Sequence, residues 1–442
     1  MRISLSFLCL ILTVFLSSLA LALTFLLRIK PSSIYDVVLA VNILIFAAVI
    51  PYIYRKKYLI YFDAWFVVLF PLYYLVSYIF SIYYDFTPLG TAHETAKSVL
   101  LLCFFTWIIS TLLLLLRPKA ISPSLFFVKF TDCINFIKSK PTAFIVIFPL
   151  ALSVALFFVR SVSEITISNL LSQSRLEILS QISESGWYLK YFIIAYAWFS
   201  IIYLIPLSPQ KKFLKLYILI PIAIYIFSLI LAGSRREIIF IIFFSFSCIY
   251  IYSKGEFTKT QIMAAVTLIA GIFFLGILRA KGDHALEIYI NAFGEFLFPI
   301  STLYYYLENG VGDFLGGSSY LQFFYNFIPK TLLSDKPMPL AVEFAHLVSP
   351  PNADYIMGYA FTPISEAYLN FGYACLIILP IVIATIAFCV ELASRKSPII
   401  TLVFLSQVLN FQRGELSSFF FEITLLVTSI FICFFLSRGK LR

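Results

Sequence analysis

Apolar runs of about 20 residues, each long enough to cross a bilayer as a helix, recur through this chain of 442 residues. They fall at roughly 3–27, 34–53, 62–83, 98–116, 142–159, 191–207, 216–232, 238–252, 260–278, 372–390, 398–411 and 417–437. Hydrocarbon offers no partner to backbone N–H and C=O groups, so only helices satisfy runs of this kind. Composition agrees: 61% of residues are hydrophobic and 12% charged, and the mean hydropathy is +0.97. The expectation is an all-α polytopic integral membrane protein with about twelve transmembrane helices.

Orientation follows from lysine and arginine, which concentrate in cytoplasmic loops. With the N-terminus inside, nineteen of the 32 fall in cytoplasmic segments, notably Arg55 to Lys57, Arg117 to Lys140, and Lys211 to Lys215. Both termini are therefore expected in the cytoplasm. The net charge of +10 is explained by these loops, and no basic stripe with stacking aromatics points to nucleic acid. Six of the seven cysteines lie in apolar runs and Cys133 in a cytoplasmic loop, so no disulfide framework is expected. The run at 3–27 contains Ala20-Leu21-Ala22 but continues past it, and reads as a retained first helix.

The chain divides into a membrane region at 1–278 with nine spans, one long outer loop of about 90 residues at 279–371, and a membrane region at 372–442 with three spans. A second outer segment, 160–190, has the pattern of a helix lying on the membrane surface. Residues 288–306 suit an interfacial or re-entrant helix; as a thirteenth span they would place Arg395 and Lys396 outside.

The outer face gathers Arg160, Arg175, Arg235, Arg236, Arg279 and Arg413. Anchoring helix ends to lipid headgroups is the ordinary use of such residues. Arg235 and Arg236, however, stand in the five-residue break Gly233-Ser-Arg-Arg-Glu237 between two apolar runs. Adjacent guanidinium forks there suit phosphate oxygens. With Arg175, Arg279 and Arg413 they form a candidate clamp for a diphosphate on a membrane lipid.

Most acids of the long loop read as a solvated surface. Glu366 stands apart, because it lies at the entry to the tenth run, where a carboxylate needs a partner or a purpose. Desolvation there would bring it toward the range of a general base; pairing with an arginine is the alternative. Tyrosines of the same loop, among them Tyr355 and Tyr368, offer flat faces and polar tips suited to sugar rings, although membrane-interface belts use tyrosine in the same way. No Walker-type or dinucleotide glycine motif is present, His93, His284 and His346 are scattered, and no metal or cofactor site is expected.

On these features the chain resembles the bacterial O-antigen or capsule repeat-unit polymerases of the Wzy family. The likeness rests on a dozen spans with both ends inside, Gly-Ser-Arg-Arg-Glu at 233–237, the long late loop, and its exit through Phe361-Thr-Pro-Ile-Ser-Glu-Ala-Tyr-Leu-Asn-Phe-Gly-Tyr373. Some members carry an R-x₁₀-G element, a spacing that Arg175 and Gly186 have here; a second copy from Arg279 is absent, since position 290 is Ile. The resemblance implies glycosyl transfer between undecaprenyl-diphosphate-linked oligosaccharides, with the lipid diphosphate leaving. It also implies a chain-length regulator and a flippase as partners. Glu366, Arg235 and Arg236 would then be catalytic, and Arg175, Arg279, Arg413, Tyr355 and Tyr368 would hold diphosphate and glycan. A ligase of the same architecture, using His284 or His346, and a flippase of the lipid-linked unit are the competing readings.

Overall fold

A computed structural model describes residues 34–83, 86–138, 142–163, 189–204, 212–232, 235–261, 297–328, 332–333, 335–348 and 359–438, with isolated positions between 263 and 294. The runs at 3–27 and, for the most part, at 260–278 lie outside these residues, as does the surface segment 164–188. The described residues are helical and contain no strand. Among the described residues five helical stretches are long and apolar enough to cross a membrane: Val38–Arg55, Phe62–Tyr83, His93–Leu116, Pro363–Ser394 and Leu416–Cys433. This is the make-up of a helical membrane protein.

The chain forms two compact units. The first holds α1 (Ile34–Arg55), α2 (Phe62–Tyr83) and α3 (His93–Leu116). It also holds α9 (Ser301–Asn309), α10 (Ser318–Asn326), α11 (Leu340–Val348), α12 (Pro363–Phe371) and most of α13 (Cys375–Ser394). The short α15 (Val408–Phe411) and the start of α16 (Leu416–Arg438) complete it. The second holds α4 (Pro123–Lys138), α5 (Thr142–Ser163), α6 (Leu189–Leu204), α7 (Lys212–Ala232), α8 (Arg235–Tyr252), α14 (Pro398–Ser406) and the rest of α16.

In the first unit α2 and α3 are antiparallel. Ser81 meets His93 at one end, and the Arg117 guanidinium donates to Asp63 at 2.6 Å at the other. Between them the Trp107 indole N–H donates to the Val67 carbonyl at 2.8 Å. With 24 residues, α3 is about 36 Å long, enough to span the hydrocarbon core. Arg117 also pairs with Glu391 near the end of α13, whose second oxygen accepts the Ala120 N–H at 2.7 Å. Arg117, Asp63 and Glu391 are all nearly buried. Their mutual pairing is what makes three charges tolerable there.

The described residues of the late loop are folded rather than irregular. Leu340, Phe344, Phe361 and Leu369 form its apolar core, with Tyr305 and Tyr359 standing edge-on to Phe344. Tyr304 is buried, its hydroxyl bonded to Ser77 of α2. These tyrosines therefore serve in packing.

In the second unit Trp198 of α6 stacks on Phe244 of α8 with centroids 4.5 Å apart. Phe148 of α5 stacks on Tyr217 of α7 at 3.8 Å. Lys190 and Glu237 approach to 3.8 Å, which sets the starts of α6 and α8 at one end.

Candidate functional site

Glu366 lies in the first turn of α12, a helix begun by Thr362, whose hydroxyl accepts the Ser365 N–H, and by Pro363 at the first helical position. Its side chain is 1% exposed. One carboxylate oxygen, Oε1, accepts from the Ser319 hydroxyl at 2.7 Å; the other, Oε2, accepts from the Leu416 backbone N–H at 2.6 Å. Ser319 in turn accepts from Asn370 Nδ2 at 2.7 Å, and Asn370 Oδ1 accepts the Gly317 N–H at 2.8 Å. The arginine pairing considered for Glu366 is not what the structure shows: its partners are a hydroxyl and an amide.

Leu416 is the first residue of α16, so Glu366 satisfies a backbone donor that the helix itself leaves open. The neighbouring Glu415 does the same for α11, accepting the Ala341 N–H at 3.4 Å while Ser418 donates to it at 2.7 Å. Glu308 repeats the pattern at α3, taking the Ala92 N–H at 2.7 Å and the Thr95 hydroxyl at 3.1 Å. Three carboxylates from or beside the late segment thus sit at positive helix ends, where negative charge is stabilised. Burial pushes the Glu415 carboxyl above its ordinary range, and hydrogen bonds from Ser418 and the start of α11 oppose this.

The link between α15 and α16 carries Gln412 and Arg413. The Phe361 N–H donates to the Arg413 carbonyl at 3.1 Å. Phe411 packs on Phe62 and Phe66 of α2. The link therefore lies alongside the first half of α2. Gln412 is buried, and among the described residues neither its amide oxygen nor its nitrogen meets a partner. The Tyr320 hydroxyl also lacks a partner among them. Burial, and then the charge of Glu366, hold its phenol above the ordinary value.

Of the residues expected to form the site, Glu366, Tyr368 and Arg413 belong to the first unit. Tyr368 is buried, edge-on to Tyr373 at 5.6 Å. Arg235 and Arg236 open α8 in the second unit, and their side chains lie outside the described residues. Arg175, Arg279 and Tyr355 also lie outside them. Sequence reasoning missed Ser319 and Asn370 as partners of Glu366, and the cluster of Asp63, Arg117 and Glu391. A signal existed for the cluster: Asp63 and Glu391 are acids inside apolar stretches, and such acids require a cation. No family model, no characterised protein and no solved structure matches the chain.

Proposed function

We propose that this protein is a membrane-embedded glycosyltransferase that joins lipid-diphosphate-linked oligosaccharide units at the outer face of the bacterial inner membrane, as repeat-unit polymerases do. The observation that carries this reading is the anchoring of Glu366 on the start of α16, one turn from Arg413. It holds a buried carboxylate fixed at the start of α16, three residues along the chain from Arg413.

In the proposed reaction the acceptor hydroxyl attacks the anomeric carbon of the growing chain, and the bond from that carbon to the diphosphate oxygen breaks. Glu366 takes the hydroxyl proton, and arginines hold the departing diphosphate, a role for which the sequence nominates Arg413, Arg235, Arg236, Arg175 and Arg279. Oε2 stays on the Leu416 N–H, which fixes the carboxylate. Oε1 is released when the acceptor hydroxyl replaces that of Ser319.

The test is the lipid-linked glycan of cells lacking the protein. The expected product is single units stranded on the outer face, with long chains restored by the parent gene and not by Glu366→Gln. Unchanged long chains in the deletion strain would refute the reading.

One observation favours a second reading, a transporter of the lipid-linked unit. The nine-residue α12 is about 14 Å long, too short to cross, and its N-terminal turn meets that of α16 around a buried acid, as in transporters with broken helices. Single units stranded on the inner face of the deletion strain would select it.

A further inference from the structure

The short helix α10 (Ser318–Asn326) is inside out for a helix in water. Leu321, Phe324, Tyr325 and, just beyond its end, Ile328 follow the i, i+3, i+4, i+7 spacing of a single stripe. That stripe faces away from the protein: Leu321 is 59% exposed and Phe324 66%. The other side carries Ser319, Gln322 and Asn326, and Ser319 is buried against Glu366 and Asn370. A soluble helix turns its apolar stripe to the core and its polar stripe to solvent. Here Ser319 is turned in, Gln322 and Asn326 are half-buried, and the apolar stripe is out.

What covers the stripe is indicated by the helix on which α10 rests. Phe323 packs edge-on against Phe420 with centroids 5.9 Å apart, and Phe420 lies within the apolar span Leu416–Cys433. The outward stripe thus stands beside the start of a helix long and apolar enough to cross a bilayer. The C-terminal carbonyls of α10, which would be left open in an apolar medium, are also answered. The Lys336 ammonium donates to the carbonyls of Asn326 at 3.3 Å and Ile328 at 3.1 Å.

We infer that α10 is buried in one leaflet of the bilayer, with Leu321, Phe324, Tyr325 and Ile328 in contact with lipid acyl chains. The late segment is then a membrane-inserted element hung on Glu366. Gly317, at φ +94°, supplies the left-handed turn by which the chain enters it.

The experiment uses the full chain reconstituted in phosphatidylcholine vesicles, with Phe324→Trp and Leu321→Trp made separately and the parent fluorescence subtracted. Both side chains are exposed, so neither change disturbs packing. The added tryptophan signal is expected to fall severalfold more with acyl-brominated phosphatidylcholine than with aqueous iodide, for both variants. Quenching by iodide and not by bromine would put the stripe in water and overturn the inference. Quenching by neither would mean that protein, from a partner or a second copy, covers it, and would overturn it equally. The assay reads no glycan, so its outcome is independent of the proposed reaction.

Discussion

The Glu366 carboxylate on α12 accepts the backbone N–H of Leu416, first residue of α16, at 2.6 Å. Fifty positions of chain separate the two residues. This contact fastens the late segment to a membrane-spanning helix, and Ser319 brings α10 to the same carboxylate. Glu366 is therefore a joint whatever else it does, and substitutions must be read for both roles.

Glu366→Gln keeps the shape and leaves an oxygen to accept the Leu416 N–H. It should fold and insert normally, yet lose turnover by about 10²–10⁴-fold if the carboxylate takes the acceptor proton. Glu366→Ala leaves two buried donors unanswered and should cost about 2–4 kcal/mol of stability. Glycan length, read at equal protein amounts, and melting in detergent separate the two effects. Parent-length glycan from the Gln variant would remove Glu366 from the chemistry.

Gly372 separates α12 from α13 at φ +57°, and a Cβ there would stand 2.9 Å from the ring of Phe314. Gly372→Ala should destabilise the fold by at least about 1–2 kcal/mol, since a left-handed conformation and a steric overlap are both imposed. Melting of the purified variant checks this. A melting temperature equal to the parent's would mean that the break adapts freely.

Much of the helical pattern was legible in the chain. The run at 62–83 is α2 residue for residue, and the ends of most other described runs differ by a few residues. Hydrocarbon imposes one simple rule on such segments, so sequence reports them well. The late segment was harder to read, because Glu308, Glu366 and Glu415 cap helices remote in sequence. An acid that caps a distant helix looks, in sequence, like an acid on a wet surface. Only tertiary placement distinguishes the two. The apolar stripe of α10 was hidden for another reason: its spacing reads as a core face, and only exposure reveals it as an outer one.

Glu415 gives a pH signature. Burial holds its carboxyl above the ordinary value of 4.5, so the folded protein keeps a proton that the unfolded chain has already released. Its contribution is most favourable below that value and declines as pH rises through and above it. Glu415→Gln should remove the decline. Melting temperatures of parent and variant, followed upward from about pH 4, should therefore show the parent losing ground. A constant difference would count against this.

Arg117 holds Asp63 and Glu391 together in near-complete burial. Arg117→Ala leaves two buried acids with only the Lys119 ammonium, 3.8 Å from Asp63, to answer them, a change worth about 3–5 kcal/mol. The triple variant Asp63→Asn, Arg117→Met, Glu391→Gln should recover most of that loss, because the one charge left, the Lys119 ammonium, keeps the Leu114 carbonyl and the Tyr58 and Tyr61 rings. Yield of inserted protein and melting in detergent test both statements. A triple variant no better than the single one would show that the cluster contributes more than charge balance.

Arg235 and Arg236 begin α8, at the end where Glu237 meets Lys190. If the pair holds the departing diphosphate, removing one guanidinium should cost about 10²–10³-fold in turnover, the scale for losing a preorganised transition-state donor. Arg235→Ala and Arg236→Ala should then insert normally and yield single units in place of long glycan. Lysine at either position should restore only part, because an ammonium supplies charge without the planar two-pronged contact. A residue that only anchors a helix end to headgroups would behave differently: lysine would serve as well as arginine, and alanine would lower the amount of inserted protein rather than its activity. Long glycan from the double alanine variant, at parent levels of protein, would end the diphosphate assignment.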